Sequence, residues 1–559
     1  MVERLLPRCT VPDRVLVCVA WPYANYLLHV GQAAGAYLPA DIFARYQRLR
    51  GREVLMVSGS DCHGTPITVT ADREGITPRE VVDRYHPKIL EVWERFGISF
   101  DLYTSTLTEN HYAVTQDVFL RLLEQGYLYR RTDEYLFDPE VGRFLPDRYV
   151  EGTCPYCGFT EARGDQCDNC GKTLDATELR DPRSKLSGAR PVLRPSEHFF
   201  LKLSAFEAPL KEWVARQPHW RRNVQNFTLG MLNEGLKDRA ITRDISWGVP
   251  VPVPGYEDKR IYVWFDAVIG YLSASKEWAA ASGNPEAWRP FWQDGATRSY
   301  YFIGKDNIPF HTIIWPAMLL GYGGLNLPYD VPANQYVNFA AGQKQSKSKG
   351  TGTWMLDLLD QYDADVIRFY LTTIMPESND SVFSEDELIR ANNDVLIATW
   401  GNLANRVISM LHRNFDGVVP AVERPSPEST ALLAECEAMF DAVGDEFERC
   451  HFRGGLQTAL QLAQSANKYL DERAPWKAVK EDRAHAAETL ATALDAINAL
   501  KVLLHPVLPF STERLHRDLG LPGSLREEGW SFRRVTPGTQ LQAPRPLYAK
   551  IETREAAGT

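Results

Sequence analysis

The sequence lacks the features that mark membrane-spanning and secreted chains. It contains no run of 18 apolar residues, so no transmembrane helix is expected. Residues 1–10 include two arginines and a glutamate but no long apolar stretch, which argues against a secretory signal. Internal repeats and low-complexity tracts are also missing. We therefore expect a globular protein located in the cytoplasm.

An excess of positive charge is also lacking, since 72 acidic residues outnumber 62 basic ones and the net charge is −10. This balance argues weakly against a nucleic-acid partner, because phosphate binding requires local positive charge. A large chain can supply that charge in patches, although any one patch is also typical of an ordinary solvated face. The candidate patches contain Arg216, Arg221, Arg222, Lys344, Lys347 and Lys349.

Cysteine is sparse, with nine residues in all, yet four of them form a tight cluster. Disulfides are rare in the cytoplasm, so the cluster indicates metal binding. Its two Cys-x-x-Cys pairs are separated by nine residues, a spacing typical of a structural four-thiolate zinc site. A rubredoxin-like iron site uses similar ligands and is the alternative. The predicted ligands are Cys154, Cys157, Cys167 and Cys170.

The length of 559 residues predicts about three or four domains, and the apolar pattern predicts that the first is α/β. Two buried strands near Val15–Ala20 and Val54–Val57 flank a helix over about 28–49, which is a βαβ unit with a parallel sheet. From Gly126 to about 236 the chain is loop-rich. Strand-like runs then return, which predicts one doubly wound, Rossmann-type sheet with an insertion. The returning runs are 261–264, 300–303 and 336–339.

After about Asn402 the pattern becomes helical. Apolar residues recur at three- and four-residue spacing through 432–447, 456–463 and 490–500, and Pro420–Pro427 forms a connector. Several antiparallel helices packed as a bundle fit this region. The predicted fold is therefore an interrupted Rossmann-type domain followed by an all-α domain.

The first of two chemically suggestive motifs is Pro22–Gln32. It follows a predicted strand and opens a helix, where backbone N–H groups and the helix dipole favour an anion. His29 can donate a hydrogen bond to a phosphate, and Gly31 leaves space for an adenine ring beside the backbone. The same pattern also fits a helix-capping segment with a structural histidine.

The second motif, Lys344–Gly350, begins more than 310 residues later, in a polar loop. Activation of a carboxylate by ATP builds charge at the α-phosphate and expels pyrophosphate, which calls for positioned positive charge. Lys344 and Lys347 on a closing loop would supply that charge. Ser346 and Ser348 would add flexibility and local hydrogen bonds.

Together the motifs resemble the HIGH and KMSKS signatures of class I aminoacyl-tRNA synthetases, and their surroundings resemble the methionyl members. The chain departs from the signatures at Gln32, where the family has His, and at Gln345, where it has Met. Val268 and Tyr26–Leu27 also differ from common family residues. The resemblance covers about residues 11–550. The segments that carry it most clearly are Trp21–Pro66, Asn233–Asp244 and Phe302–His311.

This resemblance implies an ATP site and a methionine pocket. Asp61 would meet the ammonium of methionine, as charge alone also suggests, and aromatic groups would hold the thioether. Without the resemblance, Trp264 and Trp315 would be interpreted as core residues. The implied ATP ligands are His29, Gly31, Gln32, Lys344, Ser346, Lys347 and Ser348, with His29, Gln32, Lys344 and Lys347 as catalytic groups. The other implied pocket residues are Trp21, Tyr23, Trp264, Ala267, Tyr271, Phe310, His311 and Trp315.

The resemblance also implies an anticodon site at Asn402, Arg406 and Trp476, with Arg473–Trp476 on a later helix. Amide and guanidinium hydrogen bonds and aromatic stacking are the usual means of recognising single-stranded bases. The alternative for Trp476 is packing against a neighbouring helix. The chain ends near Ile551, where the bundle ends in the family, so without an appended dimerisation domain we expect a monomer.

The implied activity is ATP-dependent attachment of methionine to tRNA(Met) through methionyl-adenylate, with one structural zinc and with magnesium accompanying ATP. The alternatives are a paralogue that adenylates methionine for a non-tRNA acceptor and a non-catalytic tRNA-binding protein. The predicted segments are 1–125 (first half of the catalytic domain), 126–235 (connective-peptide insertion with the zinc knuckle), 236–335 (second half of the catalytic domain), 336–400 (stem-contact region with the KMSKS motif) and 401–559 (anticodon-binding domain).

Overall fold

The computed structural model describes residues 13–164, 167, 169, 170, 172, 174–339 and 353–552. Its first part alternates strands and helices, as the sequence predicts. The elements are β1 (Arg14–Val19), α1 (Val30–Gln32), a π-helical turn (Ala33–Tyr37), α2 (Leu38–Leu49), β2 (Glu53–Ser60), α3 (Thr65–Glu74), α4 (Pro78–Phe96), β3 (Leu102–Ser105) and α5 (Glu109–Glu124).

The insertion is more regular than the loop-rich segment that the sequence predicts. Its longest strands pair antiparallel from Leu128–Leu201 to Phe137–Val192. The middle of the first of these strands is polar and mostly exposed, so it lacks the apolar alternation that identifies a strand. The elements are β4 (Leu128–Asp138), β5 (Arg143–Phe144), β6 (Val150–Thr153), β7 (Ala162–Arg163), β8 (Arg180–Ser184), β9 (Val192–Leu201), α6 (Glu207–Ala215) and α7 (Arg222–Glu234).

The sheet resumes after the insertion, but one predicted strand is wrong. The run 261–264 is a strand only through Ile261, and a helix begins at Val263. Most of that helix is buried, and a short apolar run does not separate a buried helix from a strand. The elements are β10 (Arg239–Ala240), β11 (Thr242–Arg243), β12 (Arg260–Ile261), α8 (Val263–Ala281), α9 (Arg289–Gln293), β13 (Arg298–Gly304), a π-helical turn (Phe310–Ile314), α10 (Trp315–Tyr322), β14 (Ala333–Asn334) and β15 (Val337–Phe339).

The central sheet has five parallel strands in the order β14-β13-β1-β2-β3. Side chains of β1 alternate between two cores: Val15 and Val17 face one, and Leu16 and Cys18 face the other. Such burial on both faces is typical of a doubly wound sheet. The chain order reverses between β1 and β13, which makes the carboxyl edge there the expected ligand crevice.

The remaining elements are mostly helical. β16 (Ser381–Phe383) pairs parallel with β15, and α18 (Arg483–Leu504), buried along nearly its whole length, forms the centre of the bundle. The elements are α11 (Met355–Gln361), α12 (Ala364–Thr373), β16 (Ser381–Phe383), α13 (Glu385–Arg390), a π-helical segment (Ala391–Gly401), α14 (Asn402–Phe415), α15 (Pro427–Glu448), α16 (Phe452–Arg473), α17 (Pro475–Glu481), α18 (Arg483–Leu504), α19 (Pro509–Asp518) and α20 (Leu525–Glu528).

The predicted helix bundle is confirmed, with one correction. Arg473–Trp476 does not lie on a single helix, because α16 ends at Arg473 and α17 begins at Pro475. Ala474 between them is left-handed, with φ of 43°. Across the described ranges, no helix is long and apolar enough to cross a bilayer.

A buried arginine joins the bundle to the α/β domain. Arg368 on α12 donates to the Asp41 carboxylate on α2 at 2.6 Å and to the carbonyl of Val507 at 2.8 Å. It also donates to the carbonyl of Phe96 at 3.2 Å. A fully buried guanidinium satisfied in this way fixes how the two parts of the protein pack.

Candidate functional site

The structure places the first motif beside the segment that follows the lysine loop. The backbone N–H of Val30 donates to the carbonyl of Thr353 at 3.2 Å, and the N–H of Met355 donates to the carbonyl of Leu28 at 2.9 Å. His29 and Trp354 form the antiparallel bridge between these bonds. The loop itself, with Lys344, Ser346, Lys347 and Ser348, lies outside the described residues.

Local structure explains the residue types of the first motif. His29 is the N-cap of α1, and its backbone N–H donates to Oε1 of Gln32 at 3.2 Å. A Cβ at Gly31 would lie 3.0 Å from Nδ1 of His29, so the glycine leaves space for the imidazole. Gln32 therefore has a capping role, and its amide NH₂ is left as the donor end of the side chain.

The methionine-pocket candidates meet at the carboxyl ends of β1 and β2. Tyr23 and Asp61 form an isolated parallel bridge. The N–H of Ala24 donates to the carbonyl of Asp61 at 3.0 Å, and the N–H of Asp61 donates to the carbonyl of Pro22 at 2.9 Å. The two loops after these strands are thus joined, at the edge where an open parallel sheet binds its ligands.

Aromatic rings form a partly exposed rim of this site. Trp264 and Phe310 stack with centroids 4.2 Å apart and planes at 12°. Tyr23 approaches Trp264 edge-on at 6.4 Å. Ala267, one turn after Trp264 on α8, is also partly buried. Ring faces and edges of this kind suit a polarisable sulfur.

Deeper in the site the polar atoms are paired. The His311 Nδ1–H donates to the carbonyl of Asn307 at 2.8 Å, and the Tyr271 hydroxyl donates to His311 Nε2 at 2.7 Å. Burial lowers the pKa of His311 to about 4, so its imidazole is neutral. Trp315 is 1% exposed and donates through Nε1 to the Tyr301 hydroxyl at 3.2 Å.

Trp21 lies between two glycines that no sequence motif singles out. A Cβ at Gly59 would come within 2.3 Å of the Trp21 ring, and one at Gly270 within 2.7 Å. Any larger residue at either position would displace the indole. Gly59 is on β2 and Gly270 is on α8, so only the folded chain reveals this packing.

A buried His–Asp–His group lies next to Asp61 and has no sequence motif of its own. His63 Nδ1 donates to Asp266 Oδ2 at 2.6 Å, and His111 Nε2 donates to Asp266 Oδ1. These three side chains satisfy the proximity that a metal ion requires. The two His–Asp contacts are instead direct hydrogen bonds, shorter than the separation of two ligand atoms on one ion. His63 and Asp266 lie about 200 residues apart in the chain, so sequence spacing offers no signal.

Electrostatics distinguish the two carboxyl groups in this region. Burial, and then the charge of Asp266, raises the pKa of Asp61 well above its usual range. Burial also opposes ionisation of Asp266, but His63 and His111 outweigh it and hold its pKa well below the usual range. The arrangement therefore keeps Asp266 anionic and makes the charge of Asp61 dependent on a cationic partner.

The four clustered cysteines come together as the sequence predicts. All four Sγ atoms lie within 4.8 Å of one another; Cys154 and Cys170 are 3.9 Å apart, and Cys157 and Cys167 are 3.6 Å apart. Four thiolates about 2.3 Å from one zinc would be separated by about 3.8 Å. Hydrogen bonds from the Phe159 backbone and the Asn169 side chain lower the pKa of Cys157 to about 6. The group can hold a tetrahedral metal ion.

The anticodon candidates also lie together. Asn402 and Arg406 are one turn apart on α14, and the Arg406 guanidinium lies 5.7 Å from the centre of the Trp476 ring. Arg406 also donates to Asn467 Oδ1 at 3.1 Å. Trp476 is 40% exposed, which is unusual for tryptophan and leaves its ring accessible to a base.

Two family models match this chain. The model described as tRNA synthetases class I (M) matches residues 15–408, and the anticodon-binding domain of methionyl tRNA ligase matches residues 419–558. Together the matched ranges contain the candidate active site, the cysteine cluster and the bundle.

Relatives and solved structures agree with these matches. A methionine–tRNA ligase of Dehalococcoides mccartyi is 56% identical, and one of Thermomicrobium roseum is 50% identical, each over 97% of both chains. The structure of Mycobacterium tuberculosis methionyl-tRNA synthetase in complex with methionyl-adenylate is 26% identical, with a TM-score of 0.80, over 96% of this chain and 99% of that one. The chain therefore belongs to the methionyl branch of the class I aminoacyl-tRNA synthetases.

Proposed function

We propose that the protein joins L-methionine to tRNA(Met) in two steps. A carboxylate oxygen of methionine attacks the α-phosphate of ATP, which forms methionyl-adenylate and releases pyrophosphate. The 2′-hydroxyl of the terminal adenosine of the tRNA then attacks the methionyl carbonyl, and AMP leaves. Neither step needs a nucleophilic residue, because positioning and charge stabilisation carry the reaction.

One observation carries the proposal: the segments 28–30 and 353–355 are joined by two backbone hydrogen bonds and an isolated antiparallel bridge. This pairing brings the segment that follows the lysine loop to the first motif. In our assignment, His29 and Gln32 bind ATP phosphates, Gly31 borders the adenine, and the lysine loop supplies positive charge to the phosphates. The loop residues in this assignment are Lys344, Ser346, Lys347 and Ser348.

The adjacent pocket suits methionine. Asp61 would accept the substrate ammonium, which supplies the cation that its buried carboxyl group lacks. The aromatic rim of Tyr23, Trp264 and Phe310 would hold the thioether, above the paired Tyr271 and His311. The other proposed pocket residues are Trp21, Ala267 and Trp315.

Two metal ions belong to the proposal. One zinc, bound by Cys154, Cys157, Cys167 and Cys170, would stabilise the three-stranded β7-β6-β8 sheet of the insertion. Magnesium would accompany ATP and neutralise phosphate charge. The five-segment division, a cytoplasmic location and a monomeric state stay predictions.

The anticodon surface favours tRNA over another acceptor. Arg406 and Trp476 come from different helices and meet at an exposed position, together with Asn402. A paralogue that transfers methionine to a protein or small molecule has no use for this cluster. A non-catalytic tRNA-binding protein would in turn have no use for the buried Asp61 beside an aromatic pocket.

Amino-acid-dependent ATP–pyrophosphate exchange, measured for all common amino acids, tests the first step. Charging of tRNA(Met), compared with another tRNA, tests the second. Exchange with methionine followed by charging of tRNA(Met) is the expected result. Exchange without charging would support the paralogue, and the absence of both would support the non-catalytic alternative.

A further inference from the structure

Asp266 and Ser273 offer three hydrogen-bond acceptors to His63 and His111. Two neutral imidazoles have only two N–H donors between them, so they cannot satisfy all three acceptors unless a neighbouring proton moves. His111 faces Asp266 through Nε2 and faces the Ser273 hydroxyl through Nδ1 at 2.8 Å. The Ser273 hydroxyl in turn donates to the carbonyl of Gly270 at 3.0 Å. With that proton on Gly270, the Ser273 oxygen is an acceptor toward His111, whereas a neutral His111 would require the proton to turn to Nδ1 and leave the Gly270 carbonyl.

A doubly protonated His111 satisfies every one of these contacts. Its Nε2–H donates to the Asp266 carboxylate and its Nδ1–H donates to Ser273. Thr115 Oγ1 is a more distant neighbour of Nε2, at 3.3 Å. His63 differs, because its Nε2 faces the Tyr112 hydroxyl at 3.2 Å, which can donate to a neutral ring. The two histidines thus have different charge requirements although both donate to Asp266.

The charge of His111 matters because two buried carboxyl groups, Asp61 and Asp266, lie where the ammonium of methionine is proposed to bind. The charge of Asp266 opposes the ionisation of Asp61, which already accepts the backbone N–H of His63 at 3.1 Å. An uncompensated Asp266 would also compete with Asp61 for the substrate ammonium. An imidazolium hydrogen-bonded to Asp266 removes both problems.

We propose that His111 is a positioning residue of the methionine subsite: as an imidazolium it neutralises Asp266, so that Asp61 stays ionised and free to take the substrate ammonium. This inference rests on the proposed function, because it assigns the ammonium to Asp61. It adds a role for a residue on α5 that lies outside the proposed methionine and ATP contacts.

Several ionisable groups face this pair of carboxyl groups, and each belongs to an element packed against it. Cys62 and His63 follow β2, and His111 and Tyr112 are on α5. Arg79 on α4 and Arg260 on β12 act on Tyr112 from farther away. Among the described groups, His63 and His111 are the cationic candidates that touch Asp266 directly.

The test is the pH dependence of kcat/KM for methionine, measured by pyrophosphate exchange between about pH 5.5 and about pH 8.5. Its acid limb is the range in which kcat/KM falls as the pH is lowered and Asp61 becomes protonated. His111→Gln keeps a donor for Asp266 but loses the charge, so its limb should move up by about one pH unit, a roughly tenfold loss on the limb. The KM for ATP should not change. His63→Gln is the matched control, and its limb should stay at the wild-type position even if its maximum rate falls.

Removing the negative charge of Asp266 should reverse the shift of the acid limb that His111→Gln causes. His111→Gln combined with Asp266→Asn should return the limb to the wild-type position, and Asp266→Asn alone should place it there or lower. An unshifted limb in His111→Gln, an equal shift in His63→Gln, or an upward shift in Asp266→Asn would overturn the inference. Lack of methionine-dependent exchange by the wild-type protein at every pH would instead overturn the proposed function.

Discussion

The backbone N–H of Val30 donates to the carbonyl of Thr353 across a separation of more than 320 residues. This bond holds the segment after the lysine loop against the motif that opens α1. Two ring contacts reinforce it: Trp354 lies edge-on to Tyr26 at 5.0 Å and to His29 at 6.3 Å. The segment that follows the lysine loop is therefore attached to the motif with which that loop is proposed to share ATP.

Trp354→Ala should slow pyrophosphate exchange without weakening methionine binding. The substitution removes two aromatic contacts worth about 0.5–1.5 kcal/mol each, so a loss of rate of roughly fivefold to 150-fold is expected if both contacts persist in the transition state. Trp354→Phe, which keeps an aromatic ring at the bridge, should retain most of the rate. An exchange rate in Trp354→Ala equal to wild type would show that the contact plays no part in ATP chemistry.

Purified protein should contain about one zinc per chain, as four-thiolate sites do. Cys157→Ser changes an exposed ligand and should lower the zinc content and loosen the insertion's small sheet. Cys436→Ala changes a buried cysteine on α15, far from the cluster in the chain, and should keep the metal. Metal analysis with amide exchange of 150–184 measures both effects. Correctly folded, active protein without metal would refute the site.

The sequence predicted the parts of the fold in which one local pattern suffices. The continuous apolar run of β1 identifies a strand buried on both faces, and the spacing of Leu432, Cys436 and Val443 identifies one face of α15. The paired Cys-x-x-Cys spacing predicted a cluster that the structure brings together. In each case the signal lies within about 20 residues of chain.

The parts that were missed depend on contacts between distant residues. The polar middle of β4 is a strand because β9 pairs with it, and α8 is a helix although its first residues are apolar and β-prone. The π-helical turns at Ala33–Tyr37 and Phe310–Ile314, both beside the site, have no recognised sequence signal. The partners of Asp266 come from separate segments, so only folding brings them together.

Trp476→Ala should impair charging of tRNA(Met) and leave pyrophosphate exchange near normal. The ring lies on the bundle and contacts Arg406, and the adenylation site lies on the central sheet. Stacking of one base is worth about 1–3 kcal/mol, so charging should fall roughly tenfold to a hundredfold. Trp476→Phe should recover part of the loss. Equal loss of both reactions in folded protein would contradict an anticodon role.

Gln32 is the sharpest departure from the family signature, and the structure gives it two tasks that can be separated. Its Oε1 accepts the backbone N–H of His29, while its amide NH₂ is the proposed donor to an ATP phosphate. Gln32→Ala removes both, so the adenylation rate should fall with little change in methionine affinity. A neutral donor gives a weaker bond than a charged one, so the loss should be partial, roughly tenfold.

Gln32→Glu separates the two tasks, because a carboxylate still accepts the His29 N–H but cannot donate to phosphate and repels it. If the phosphate contact matters, Gln32→Glu should lose at least as much adenylation rate as Gln32→Ala while keeping its thermal stability. Gln32→His, which restores the family residue, should keep or raise the rate, since imidazole can also donate to phosphate. Pyrophosphate exchange and thermal unfolding of the three variants measure this. A Gln32→Glu variant as active as wild type would reduce Gln32 to a helix cap, and the phosphate contact would then have to come from another residue.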